Sequence, residues 1–185
     1  MSSELPKKKK KKKSRIKNII ITLIFVLGLS IAAYPIISRL YYTFNAAEQV
    51  TKFEVSAKEL TSDEVKKRIE LARAFNESIQ SSSITDPYTD AQKAAGKAEY
   101  ARMLEIHEQM GHIEIPKINI DIPIFAGTAE VVLQKGAGHL EGTSLPVGGN
   151  STHSVITAHS GLPTARLFSD LNKLQIGDKF YVHNV

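Results

Sequence analysis

The sequence predicts a mainly β body preceded by N-terminal helices and a membrane-spanning segment. Three observations predict it: an uncharged apolar run near the start, a polar middle with one apolar helical face, and a last stretch where alternating β-branched residues replace the helical pattern. At 185 residues, 42% hydrophobic, the chain has material for one modest packed domain plus a tail. Its lack of cysteine excludes a disulfide framework, a zinc-thiolate site and a thiol nucleophile within these residues. The net charge of +5 would suggest an acidic partner, but its distribution does not. Residues 1–17 hold nine basic side chains against Glu4, a local +8 that leaves −3 for residues 18–185.

The spanning segment comes first. Asn18 to Ser38 contains 21 residues without a charge, bracketed by Lys17 and Arg39. At about 1.5 Å rise per residue it matches a hydrocarbon core about 30 Å thick. A basic cluster ahead of a first span keeps that side in the cytoplasm, so residues 1–17 are read as cytoplasmic, 18–38 as a single-pass anchor and the rest as outside. A cleavable signal peptide, with Ile19 to Leu29 as its apolar region and Ser30-Ile31-Ala32 as a weak cleavage site, is the competing reading. Ile36, Ile37, Leu40, Tyr41 and Tyr42 continue the apolar and interfacial pattern past that point, which suits an uncleaved anchor. Either way the body is exported. A lysine run placed directly before a span is an orientation signal, and no nucleic-acid partner is expected.

Residues 39–110 read as a helical stalk. Thr61-Ser62-Asp63-Glu64 offers an N-terminal capping box. Val65, Ile69, Ala72, Phe75 and Ile79 follow at spacings of four, three, three and four, one apolar helical face. Ser81-Ser82-Ser83 and Thr85-Asp86-Pro87-Tyr88 then form an exposed loop. Residues 97–110 return to helical composition, with Gly111 as a candidate C-terminal cap.

From residue 111 the body is strand-rich. Isoleucines alternate on both sides of Pro116-Lys117, as in two short strands joined at a bend, with prolines confined to edges or strand ends. Gly136, Gly138 and Gly142 superficially resemble a dinucleotide-binding loop, but the spacing is one residue too long and no βαβ unit surrounds it. Ser154 to Ala158 reads as a buried strand ending at His159, just before the turn Ser160-Gly161-Leu162-Pro163. A histidine at a strand end is held by the sheet yet open to a cleft, which suits proton transfer near neutral pH. His153, six residues away along an extended chain, is about 20 Å off and cannot share a metal with it. Ser160, adjacent to His159, points away from it and is a poor triad nucleophile.

Taken in order, Gly111-His112-Ile113-Glu114-Ile115-Pro116-Lys117-Ile118, Gly138-His139-Leu140-Glu141-Gly142-Thr143-Ser144-Leu145-Pro146, Thr157-Ala158-His159-Ser160-Gly161-Leu162-Pro163 and Leu167-Phe168-Ser169-Asp170-Leu171 resemble the first half of a class C sortase, the pilus-assembling branch. The resemblance implies a sortase-type closed β-barrel, present only in part over residues 111–185, with His159 as the catalytic histidine. It also implies a lid at residues 86–88, in which Asp86 and Tyr88 cover the cleft; Tyr departs from the Phe or Trp expected there. The implied reaction is a cysteine transpeptidation that cleaves an LPXTG-like sorting signal and joins pilin subunits through a lysine isopeptide bond, without a cofactor. The implied partners are pilin or surface-protein sorting signals and the membrane, at a Gram-positive cell surface. Because that family's cysteine and arginine lie further along than residue 185, the expectation is a chain truncated before its nucleophile, inactive alone and missing a C-terminal half. The alternative is a non-catalytic surface protein that binds sorting-signal peptides or serves as an assembly partner.

Overall fold

A computed structural model describes residues 8–80 and 102–185. The expected lid residues Asp86 and Tyr88, the loop around them and the start of the helix expected from residue 97 lie outside the described residues.

The apolar run continues as helix well past Ser38. Helix α1 spans Lys8–Glu59, 52 residues, about 78 Å at 1.5 Å per residue. It is the one helix among the described residues that is long and apolar enough to cross a membrane. From Ile16 to Tyr41 its large apolar side chains stand exposed, whereas Ala46, Val50 and Phe53, spaced by four and three, are buried. One helix therefore serves two environments: an apolar surface all round, then a narrow apolar stripe that packs on the sheet. Helix α2 (Ser62–Gln80) starts at the expected capping box, with the Thr61 amide donating to Glu64 Oε2 at 2.9 Å and the Glu64 amide donating to Thr61 Oγ1 at 3.3 Å. Its predicted face is the inward one: Ala72 is fully buried and Ile69 and Phe75 pack on the core. Asn76 on the same side is buried and exchanges two hydrogen bonds with the Leu145 backbone, Nδ2 to the carbonyl at 3.0 Å and the amide to Oδ1 at 2.7 Å.

The isoleucine alternation becomes an antiparallel hairpin. Strand β1 (Gln109–Ile115) meets β2 (Ile120–Ala126) across a 3-10 turn at Pro116–Ile118, in a register that places Ile113 opposite Ile122 and Ile115 opposite Ile120. These side chains share a face with Ile124 and form the centre of a buried cluster with Ala72, Leu104, Leu145, Ala165 and Leu167. On the other face, Phe53 of α1 meets the His112 ring edge-on. His112 is buried there: its Nδ1 lies 2.6 Å from Asp121 Oδ1, and its ring stacks on His183 at 4.3 Å.

A short helix α3 (Glu130–Leu133) leads into β3 (Ala137–His139), which pairs in parallel with β2. Strand β4 (Ile156–Thr157) pairs antiparallel with β3, and β5 (Tyr181–His183) antiparallel with β1. The five-stranded order is β4-β3-β2-β1-β5.

Three details differ from the sequence reading. The helix expected to run to residue 110 does not do so, because β1 already begins at Gln109, and Gly111 caps no helix. It lies inside β1, where an added Cβ would stand 2.0 Å from the His183 carbonyl oxygen, so glycine is what allows β5 to approach. Pro123 sits within the central strand β2, not at an edge; the β3 ladder begins only at Ile124, so that side loses no pairing. The strand expected over residues 154–158 is reduced to Ile156–Thr157 and is half-buried, because β4 lies at the border of the sheet.

Candidate active site

The antiparallel pairing of β3 and β4 builds the site. Gly138 lies opposite Thr157 and His139 opposite Ile156, so the chain leaving β4 runs back beside the segment that enters β3. His159 is on the first of these and Glu130 on the second. Their side chains meet at 3.2 Å, His159 Nε2 to Glu130 Oε1. The His159 side chain is 27% exposed and that of Glu130 is 63% exposed, which places the pair on an open rim.

The backbone around His159 is fixed on several sides. Its carbonyl accepts the Phe168 amide at 3.1 Å, and the Gly161 amide donates to Ser169 Oγ at 2.9 Å. Phe168 and Ser169 belong to a 3-10 segment (Leu167–Lys173) that Leu167 anchors in the core, while at the surface Arg166 and Lys173 both pair with Asp170. Gly161 takes φ +81°, and no residue with a Cβ makes that turn without strain. Two side chains of α1 close the frame: Arg39 Nε donates to the Pro163 carbonyl at 2.9 Å and Tyr42 Oη to the Lys135 carbonyl at 3.0 Å. Burial raises the Tyr42 phenol above its ordinary pKa, so it remains a donor at any physiological pH.

Glu130 is held below the usual glutamate range, chiefly by the Gln134 amide, which donates to Oε1 at 3.0 Å, and further by His159. It is therefore an anion at neutral pH, and an N–H at His159 Nε2 is the natural partner. In that tautomer Nδ1 carries the lone pair, so the ring can take up and return a proton. No feature of the sequence singled out Glu130, which stands 29 positions from His159.

The other histidines do not contribute to this rim. His139 is wholly buried in β3, and its Nε2 donates to the Ser144 carbonyl at 2.8 Å, since a carbonyl can only accept. Gly138 beside it has a structural reason independent of any phosphate: a Cβ there would meet the Gly127 carbonyl oxygen at 2.3 Å. His183 pairs with Glu114 and His107 with Ser56, away from the β3–β4 edge. Among the described residues, no cluster of three or more His, Asp or Glu could hold a metal ion.

A sortase-domain family model matches residues 113–185. Sortase A of Bacillus anthracis is 24% identical over 172 residues, covering 93% of this chain and 71% of the relative. The crystal structure of sortase C-1 from Streptococcus pneumoniae is 60% identical with a TM-score of 0.65, over 74% of this chain and 70% of that one. Streptococcus agalactiae sortase C1 is 50% identical with a TM-score of 0.66, over 75% and 69% respectively. With the half-barrel sheet and the histidine-bearing rim beside β4, this degree of identity means that the chain belongs to the sortase family, on its class C branch.

Proposed function

We propose that the protein is a membrane-anchored class C sortase whose body faces outward and joins pilin subunits, with His159 as its proton carrier. The observation that carries this reading is the position of His159, presented just past the end of β4 on a pinned loop with an anionic partner at 3.2 Å. The family-level activity is sortase transpeptidation. Its finer form draws support from a Streptococcus pneumoniae sortase C, 50% identical, whose structure is described in terms of pilin substrate specificity.

In this reading a thiolate attacks the Thr–Gly carbonyl of an LPXTG-like signal, and the C–N bond breaks to leave a thioester. His159 hands a proton to the departing amine. A pilin lysine amine then attacks the thioester, gives its proton to the now neutral His159 and forms the isopeptide bond as the C–S bond breaks and the thiolate leaves, which restores the starting thiolate and imidazolium. The thiol is not among these 185 residues, which contain no cysteine, so the chain alone is expected to be inactive. Asp86 and Tyr88 are proposed as a lid over the cleft; a lid mutant is known for the 51% identical sortase C1 of Streptococcus agalactiae. Should the 185 residues bind a sorting-signal peptide saturably and the completed enzyme show no turnover, the reading as a non-catalytic partner would take precedence.

The test is a chimera in which the cysteine-bearing C-terminal half of a class C sortase continues this chain. Mass spectrometry of an LPXTG-like peptide and a lysine acceptor should show transfer. His159→Ala should lower the rate by about 10²–10⁴-fold, whereas replacing Asp86 and Tyr88 together should speed peptide hydrolysis by opening the cleft. Transfer that survives His159→Ala removes His159 from its role.

A further inference from the structure

We propose that the rim carrying His159 and Glu130 rests in the headgroup layer of the membrane, so that the site opens along the lipid surface and not toward bulk water. This rests on reading residues 18–38 as a membrane anchor.

The uncharged run ends at Ser38, and Arg39 is the first charge after it. Arg39 and Tyr42 follow on the same continuous helix, within about 6 Å of that end at 1.5 Å per residue. The headgroup layer is about 5–8 Å deep on each side, the difference between a bilayer of 40–45 Å and its core of 30 Å. Both residues therefore lie within it, and these are the two α1 side chains that hold the site loops. Arg39 grips Pro163, four residues beyond His159, and Tyr42 grips Lys135, in the connector that follows Glu130 and α3. The stripe that packs on the sheet comes later, at Ala46, Val50 and Phe53, so the sheet rises along α1 away from the membrane. The far end of α1 at Glu59, beside the cap of α2, stands about 30 Å beyond Arg39, again at 1.5 Å per residue.

The chemistry of the rim is independent of this measurement and agrees with it. Val131, next to Glu130, is 69% exposed although apolar, and Tyr41 on α1 is 70% exposed. Arg39 supplies a cation in the same band, and Lys135 a second, which is shared with Glu108 at 3.5 Å. An exposed valine, an exposed tyrosine and two cations in one narrow layer suit a lipid headgroup region, where aromatic rings and long basic side chains settle.

The absence of native cysteine makes single-cysteine labelling clean. The full chain carrying Phe25→Cys, Val131→Cys or Asp63→Cys would be labelled with a fluorophore and reconstituted in phosphatidylcholine–phosphatidylglycerol vesicles. Lipids carrying a quencher deep in the chain or on the headgroup would then report depth. We expect the label at position 25 to respond to the deep quencher, and the label at 131 to respond to the headgroup quencher several-fold more than the label at 63. If position 25 is quenched but 131 responds as little as 63, the anchor stands and the proposal falls. If position 25 is not quenched, the anchor reading itself falls, and the proposal with it. Combining Arg39→Ala and Tyr42→Phe with Val131→Cys should reduce headgroup quenching at 131 while a label at 25 stays deep; unchanged quenching at 131 overturns the assignment of the rim's position to those two contacts.

Discussion

Glu130 owes its place opposite His159 to strand register, and its ionisation to two neighbours. The Gln134 amide is the stronger influence and His159 the lesser, both favouring the carboxylate. Gln134→Ala should therefore raise the titration midpoint of Glu130, and His159→Ala should raise it by a smaller amount. Side-chain carboxyl carbon NMR across the acidic range checks this, and a midpoint indifferent to His159→Ala would mean that the pair does not form in solution. At this scale the sequence pointed to only one member of the candidate pair. His159 was legible because a β-branched run stops at it and a Ser-Gly-Leu-Pro turn follows, within motifs that resemble a known family. Glu130 was not legible, because a surface glutamate carries no pattern until β3 and β4 are paired. Arg39 was read as the bracket of a membrane segment, and its second role at Pro163 depends on a contact 124 positions away.

Elements with local causes were the more readable ones. The capping box is the clearest case, and it makes a prediction: Thr61→Ala should cost α2 about 1 kcal/mol, visible as faster amide hydrogen exchange in its first turn. The same box should loosen in acid. The Glu64 carboxyl is lowered from its ordinary 4.5, mainly by the Thr61 amide and then by the Thr61 hydroxyl. A lowered carboxylate contributes stability that is present above its unfolded value and is lost as pH falls from there through the folded value, so exchange in the first turn should quicken below pH 4.5 and Glu64→Gln should blunt the change. The apolar face of α2 and the isoleucine hairpin were legible for the same reason, a period that each element imposes on itself. What failed were features set by a distant partner. Gly111 resembles a helix cap until β5 is placed against it, and Ser154 to Ala158 reads as a core strand until β4 proves to be a border strand with one neighbour.

For the molecule as a whole, acid sensitivity is expected to begin with the buried histidine of β3. His139 is fully buried between β2 and β4, and burial depresses its pKa from 6.5, only partly offset by the bond to the Ser144 carbonyl and by the Glu141 charge. Its neutral ring already meets Ser144 through the one N–H it has, so a second proton adds charge where water does not reach. The sign follows from linkage. Between the folded and unfolded values the unfolded chain binds the extra proton and the folded chain does not, so stability is complete above about pH 6.5 and declines as pH falls below it. The carboxylates whose values are lowered, Glu64, Glu130 and Asp170, add their own losses only further into acid. Two separate declines are therefore expected in the thermal midpoint of the chain in detergent, followed by near-ultraviolet circular dichroism of its tyrosines: one beginning near pH 6.5 and one below pH 4.5. His139→Gln keeps an N–H donor for the Ser144 carbonyl but cannot be protonated, so it should remove the first decline and leave the second. A first decline that persists in that variant would transfer the acid response to another group.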